Sequence, residues 1–192
     1  MKAPAVAIPK DDDREPADSS ASGGDREKIE NPQYTSWAAF KPGTIVVHRT
    51  VTKATGTDGE TVTTSTYKLI ELTPDKAVVE IQNSTRRYDG HEVNNPPEKF
   101  SHRKDLLLPP GVKREGASKP AGVTAEGEET VRVGGKEYKA KWYRGKDRNE
   151  AGEMLTQVWS CPDVPGSLVR SVTDTPAIGK KTTTEVVEIR LP

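Results

Sequence analysis

Between Gly43 and Leu191 the chain alternates apolar and polar residues with a period of two, segment after segment. That alternation marks strands with one face packed and the other in water. Gly43 to Thr55 reads as a β-branched strand, Thr61 to Leu72 as a second and Lys76 to Asn83 as a third, with turns at Thr57-Asp58-Gly59 and Thr73-Pro74-Asp75. In the third strand Ala77, Val79 and Ile81 fall on one side, Glu80 and Gln82 on the other. The pattern weakens from Ser84 to Gly127. There Phe100 to Leu108 reads as a strand stopped by Pro109-Pro110-Gly111, and Lys113 to Gly127 as an exposed loop. Order resumes at Glu128, where Val131 and Val133 lead into Gly134-Gly135, a two-residue hairpin signal. The return arm carries Tyr138, Ala140 and Trp142 on one side against Lys139, Lys141 and Tyr143 on the other. Arg144 to Gly152 reads as a charged turn, Met154 to Cys161 as a strand, Pro162 to Gly166 as a tight turn and Leu168 to Thr173 as the arm that pairs back. The last strand, Thr182 to Leu191, keeps Val187, Ile189 and Leu191 on one face.

One segment predicts a helix. Asn31 is a good N-cap, Pro32 fits the first helical position, and Tyr34, Trp37 and Ala38 then share a face until Pro42-Gly43 ends it. Ahead of it, Met1 to Glu30 is rich in Asp, Ser, Ala, Gly and Pro with neither period, which predicts a disordered tail or linker. The expected organisation is a tail over 1–30 and a single antiparallel β domain over 31–192. The fold class is mainly β: a curved antiparallel meander sheet, a half-barrel or β-clam of about eight or nine strands, with one short N-terminal helix.

Composition narrows the functions. With 32% hydrophobic and 30% charged residues in 192, the chain folds only if its sheet keeps a wet face and part of it stays outside the core. Its 29 basic and 29 acidic residues cancel, which removes the usual electrostatic footprint of a nucleic-acid binder. No apolar run reaches the ~18–20 residues of a spanning helix, so no membrane span is expected. The N-terminal Ala-Val-Ala-Ile patch is too short and too broken by proline for a secretory core, although an export signal upstream of this sequence stays open.

Candidate chemistry is sparse. The acidic run Asp11-Asp12-Asp13 lacks the alternating ligands and turn glycine of a calcium loop and reads as solvated linker. His48, His91 and His102 are too far apart for a local metal motif, and with one cysteine no cysteine-based zinc cluster or internal disulfide can form; no metal or cofactor is expected. Cys161 has no basic neighbour to activate it, and Ser167 in Pro165-Gly166-Ser167-Leu168 lacks the second glycine of a nucleophile elbow. No catalytic residue is assigned, and the chain reads as a non-enzyme; a hydrolase would need folding to bring a histidine and a carboxylate to Ser101, Ser160 or Cys161. Arg86-Arg87-Tyr88 reads as a solvated turn, and Asn83-Ser84-Thr85 matches a glycosylation sequon. The large aromatics remain. Trp37, Tyr138, Trp142 and Trp159 either build the core or line a groove between sheet and helix where an apolar ligand sits.

The strand ending Tyr138-Lys139-Ala140-Lys141-Trp142-Tyr143, followed by Gln157-Val158-Trp159-Ser160 and Val164-Pro165-Gly166 leading to Leu168-Val169-Arg170, resembles uncharacterised bacterial envelope proteins. These are similar in shape to LolA-like, or β-clam, lipoprotein carriers. The resemblance covers Gly43 to Ile189 loosely and Lys136 to Val172 best. It implies a half-barrel with a helix across its concave face, a periplasmic or secreted location, and a lipid-like ligand or envelope protein as partner; on the residues alone the cytoplasm stays open. The alternative is a purely structural or interaction module with no ligand groove.

Overall fold

The structure, a computed structural model, describes residues 27–108 and 122–192. Asp11 to Asp13, nearly all of the expected tail, and residues 109–121 of the expected middle loop lie outside the described residues. Among the described residues the chain is mainly β, with one α-helix.

The helix is where its caps put it. In α1 (Pro32–Ala38) the Asn31 side chain accepts a hydrogen bond from the Gln33 amide at 2.9 Å, and Tyr34 and Trp37 turn inward. Such a cap is worth about 1 kcal/mol. Asn31 does more than cap. Its amide donates to the Lys104 carbonyl at 2.6 Å and its Nδ2 to that of Arg103 at 2.8 Å, which anchors the helix start to the middle of the chain. Lys28–Glu30, which the composition places in the tail, forms strand β1 against β7 (Asp105–Leu107). Ile29 is buried and Lys28 meets Asp105 at 2.7 Å, so pairing overrides a weak local pattern.

The other strands are β2 (Ile45–Ala54), β3 (Glu60–Leu72), β4 (Lys76–Arg86), β5 (Glu92–Asn94), β6 (Glu98–Arg103), β8 (Val123–Val133), β9 (Lys136–Asn149), β10 (Gly152–Ser160), β11 (Leu168–Thr175) and β12 (Lys180–Arg190). Three sequence expectations need correction. Phe100 to Leu108 is not one strand: Lys104 bonds back to Asp75 and Asn31, and the chain passes there from β6 to β7 in a second, two-stranded sheet. The expected loop ends early, because Val123 to Gly127 already pairs with β9 despite its glycine and glutamate. The charged stretch after Arg144 is not a turn but the far half of β9, paired residue by residue with β10 to Asn149↔Gly152. Its charges sit on wet positions, as the exposed Lys146–Glu153 pair at 3.5 Å shows.

Among the described residues the large sheet has ten strands, in the order β5-β4-β3-β2-β12-β11-β10-β9-β8 with β6 also on β4. Two meanders, β2 to β6 and β8 to β12, are therefore joined where the last strand pairs with β2, from Lys180↔Ala54 to Arg190↔Ile45. The sheet is curved and does not close into a barrel. Gly134 and Gly135, at φ 56° and 84°, make the tight turn between β8 and β9 that their sequence predicts.

One end of the sheet gathers the β3–β4, β8–β9 and β10–β11 connections, and α1 caps it. Tyr34 Oη donates to the Thr73 carbonyl at 3.0 Å, the Gly166 amide donates to the Ser36 carbonyl at 3.1 Å, and Phe40 faces Tyr138 and Pro162 across a cavity. The core wraps this end from one face of the sheet to the other. Val46, Leu69 and Val79 are fully buried on one face. Following the register through Thr50↔Thr184, Ser171↔Thr184, Val158↔Ser171 and Val158↔Tyr143 shows that Ala140 and Trp159 are buried on the opposite face. Bulges at Trp159/Ser160 and Val186/Glu188 lie in the strands between them and add the twist this change of side requires.

Candidate functional site

The four aromatic residues singled out from the sequence fall into two groups. Trp37 lies on α1 with its ring near Gly166, and Tyr138 stands at the β8–β9 hairpin with the Lys136 ammonium 5.1 Å from its ring centre; both are buried. Tyr138, Phe40 and Ala39 share a cavity of about 460 Å³ with Lys136, Glu137, Lys139, Pro162 and Asp163. Trp142 and Trp159, in contrast, are direct cross-strand partners on β9 and β10.

A single row of the sheet holds this pair. Reading across the strands, Arg49, Glu185, Arg170, Trp159, Trp142 and Gly127 are successive partners and so share a face. Each member has a reason. A Cβ at Gly127 would stand 2.7 Å from the Trp142 ring, so only glycine lets the indole lie flat across β8. Trp159 is buried, and its Nε1–H donates to Glu129 Oε1 at 2.7 Å. That bond runs from β10 to β8 over β9, which places it on the inner side of a roll. The roll is real: β8 comes within reach of β12 although β9, β10 and β11 lie between them. On β9 the same side buries Tyr138 and Ala140 while Lys139 and Lys141 point outward, so the tryptophans occupy the inner side of the C-terminal half.

Two arginines complete the surface. The Arg170 guanidinium lies 5.3 Å above the Trp159 ring, and that of Arg144 lies 5.7 Å from the Trp142 ring while donating to Gln157 Oε1 at 3.1 Å through Nη2. Half-buried Val172, the cross-strand partner of Gln157, continues the apolar strip. Alternation alone makes Arg144 a neighbour of Trp142, two residues away on one strand. Arg170, Glu129 and Gly127 needed the strand register, which no local pattern carries.

The opposite face is built differently. Thr50–Thr184, Thr52–Thr182 and Thr63–Thr85 pair their hydroxyls at 2.9, 3.1 and 3.0 Å, so this ladder satisfies its own polar atoms. A hollow of about 140 Å³ opens on it between Tyr143, Met154 and Val158. Beside the ladder His48 is buried against Tyr67, ring centres 4.9 Å apart, with no partner for Nε2 among the described residues. Burial lowers its pKa from 6.5 to about 4, and burial likewise raises the Tyr67 phenol above its ordinary value against a hydrogen bond with Ser65. Cys161 is a buried free thiol whose amide bonds to Ser167 in the β10–β11 turn, as a packing residue would. Ser167 itself has φ 60°, a turn conformation, and its amide closes that turn on Val164.

No protein-family model and no curated protein matches the chain. Three solved structures align with most of the chain at low similarity. A Parabacteroides distasonis protein assigned as a lipoprotein matches at 12% identity and TM-score 0.44 over 78% of this chain and 96% of its own. A Bacteroides fragilis protein with a YmcC-like fold matches at 10% and 0.45, over 79% and 97%. The Mycobacterium tuberculosis lipoprotein LppX matches at 14% and 0.42, over 79% and 88%. At such similarity they carry neither ligand nor activity to this chain.

Proposed function

We propose that this is a non-enzymatic, extracytoplasmic binding protein that holds a lipid-like ligand on the inner side of its rolled sheet, over Trp142. The observation that supports it is the arrangement of the tryptophan row. Trp159 is buried as a floor, Trp142 beside it is only partly buried, and half-buried Val172 lies on the same face beyond Gln157, so aromatic and aliphatic surface flanks the floor on both sides. Apolar strips of this kind, edged by a few oriented polar groups, are what small apolar ligands bind. Trp37 and Tyr138 shape the capped end of the same sheet, where the 460 Å³ cavity offers a second wall for a long ligand. Among the described residues no helix is long and apolar enough to cross a membrane.

Neighbouring residues on one strand point to opposite faces, which allows a clean test. In β11, Val172 shares the tryptophan side, whereas Ser171 pairs with Val158 on the threonine side. Val172→Lys should weaken binding of an uncharged fluorescent lipid probe at least about tenfold, because it sets a charge into the apolar strip. Ser171→Lys should leave affinity within about twofold of the native protein. Equal losses in the two variants, both still folded by circular dichroism, would remove the reading.

A second reading, a structural module whose aromatics only pack, draws on Trp159 having its indole N–H satisfied by Glu129. It expects no saturable probe binding by the native protein.

A further inference from the structure

The two arginines over the tryptophans are held in place but not neutralised. Among the described residues neither guanidinium is in ion-pair contact with a carboxylate: Arg144 donates to the amide oxygen of Gln157, and Arg170 Nε is buried without a partner. Two of the carboxylates on the same side are otherwise placed. Glu129 is occupied by Trp159, and Glu185 is the register partner of both Arg170 and Arg49 yet pairs with neither, Arg49 reaching Glu60 instead at 3.6 Å. An arginine in a folded sheet ordinarily finds an anion or water; here each guanidinium sits over an indole ring with none of its N–H groups on a carboxylate among the described residues.

Their positions converge. Arg144 reaches over β10 from β9 to Gln157, and Arg170 reaches over β10 from β11 to Trp159. Gln157 and Trp159 are two residues apart on one face, roughly 7 Å along a strand. An oxyanion between two guanidinia held above neighbouring positions of one strand can accept charge-assisted hydrogen bonds from both. Trp142, two residues from Arg144 on β9, and Val172, two residues from Arg170 on β11, flank it on the same face.

We infer that Arg144 and Arg170 form a headgroup site for an anionic amphiphile, a phosphate- or carboxylate-headed chain whose apolar part lies on the tryptophan strip. This deepens the lipid-binding reading and rests on it: the strip would take the chain, the arginines the charge. The inference commits to a headgroup attached to a chain, not to free phosphate, since the guanidinia border an apolar surface and not a polar pocket.

The test compares three probes on the whole chain by calorimetry: dodecyl phosphate, uncharged dodecyl maltoside and inorganic phosphate. Dodecyl phosphate should bind at least about tenfold more tightly than the maltoside, and inorganic phosphate far more weakly than either. Arg170→Gln and Arg144→Gln should each lower dodecyl phosphate affinity at least about fivefold more than maltoside affinity, so that most of that preference is lost. Arg144→Lys, which keeps the charge and loses the planar stack, should remove part of it. Circular dichroism and thermal unfolding check each variant's fold. Equal affinity for the charged and uncharged amphiphiles overturns the headgroup site and leaves the lipid reading standing. Binding of neither amphiphile overturns both, and inorganic phosphate binding as tightly as dodecyl phosphate overturns the commitment to a lipid headgroup.

Discussion

Trp159→Ala should cost roughly 3–5 kcal/mol of unfolding free energy, more than any other single truncation on the sheet's inner side. Three losses coincide. The indole is buried in the core cluster with Val169 and Cys161, so its removal leaves a large void. Its N–H is the partner that holds Glu129, and with it β8, to β10 across β9. Its ring is also the platform under Arg170, whose Nε already lacks a partner. Trp142→Ala should cost clearly less, because that ring is only partly buried and its wall is a glycine. Urea unfolding of the two variants checks the order. A loss below about 1 kcal/mol for Trp159→Ala would mean that the roll is held without this contact.

Acid should act through His48. Its folded pKa of about 4 lies below the unfolded 6.5, so the unfolded chain binds a proton that the folded chain refuses. Stability is therefore complete above pH 6.5 and falls as the pH drops from 6.5 towards 4, by roughly 3 kcal/mol over that window. The cause is desolvation: the ring packs at a tilt against Tyr67 beside the threonine ladder, and protonation would put a charge where Nε2 has no acceptor among the described residues. Carboxylates elsewhere also respond to acid, so the informative quantity is the difference between two curves. His48→Phe keeps a ring against Tyr67 and cannot titrate. Its unfolding free energy should lack the component lost between pH 6.5 and 4; parallel curves for the two proteins would refute the assignment.

Much of the fold was legible because its rules are local. Period-two runs located most of the large sheet's strands, Asn31 and Pro32 placed the helix start, and Gly134-Gly135 placed a hairpin. What escaped detection depended on partners distant in sequence. Nothing in Lys28-Ile29-Glu30 predicts a strand until β7 is there to pair with it. Val123 to Gly127 reads as loop because edge strands carry charge and glycine, here for packing against Trp142. The meeting of β2 and β12 turns an expected meander into two, and no turn signal can announce a pairing between residues more than a hundred positions apart. The same limit applied to the site. Four aromatics were visible in the sequence, but that Trp142 and Trp159 face each other, and that Arg170 lies over one of them, are facts of register.

The most direct measurement is tryptophan quenching by an uncharged amphiphile brominated along its chain, since bromine quenches only at contact. The chain should quench the native protein's fluorescence saturably, and Trp142→Phe should abolish most of that quenching while Trp37→Phe does not. Absence of saturable quenching, or quenching undiminished by Trp142→Phe, would contradict a ligand lying on the tryptophan side of the sheet.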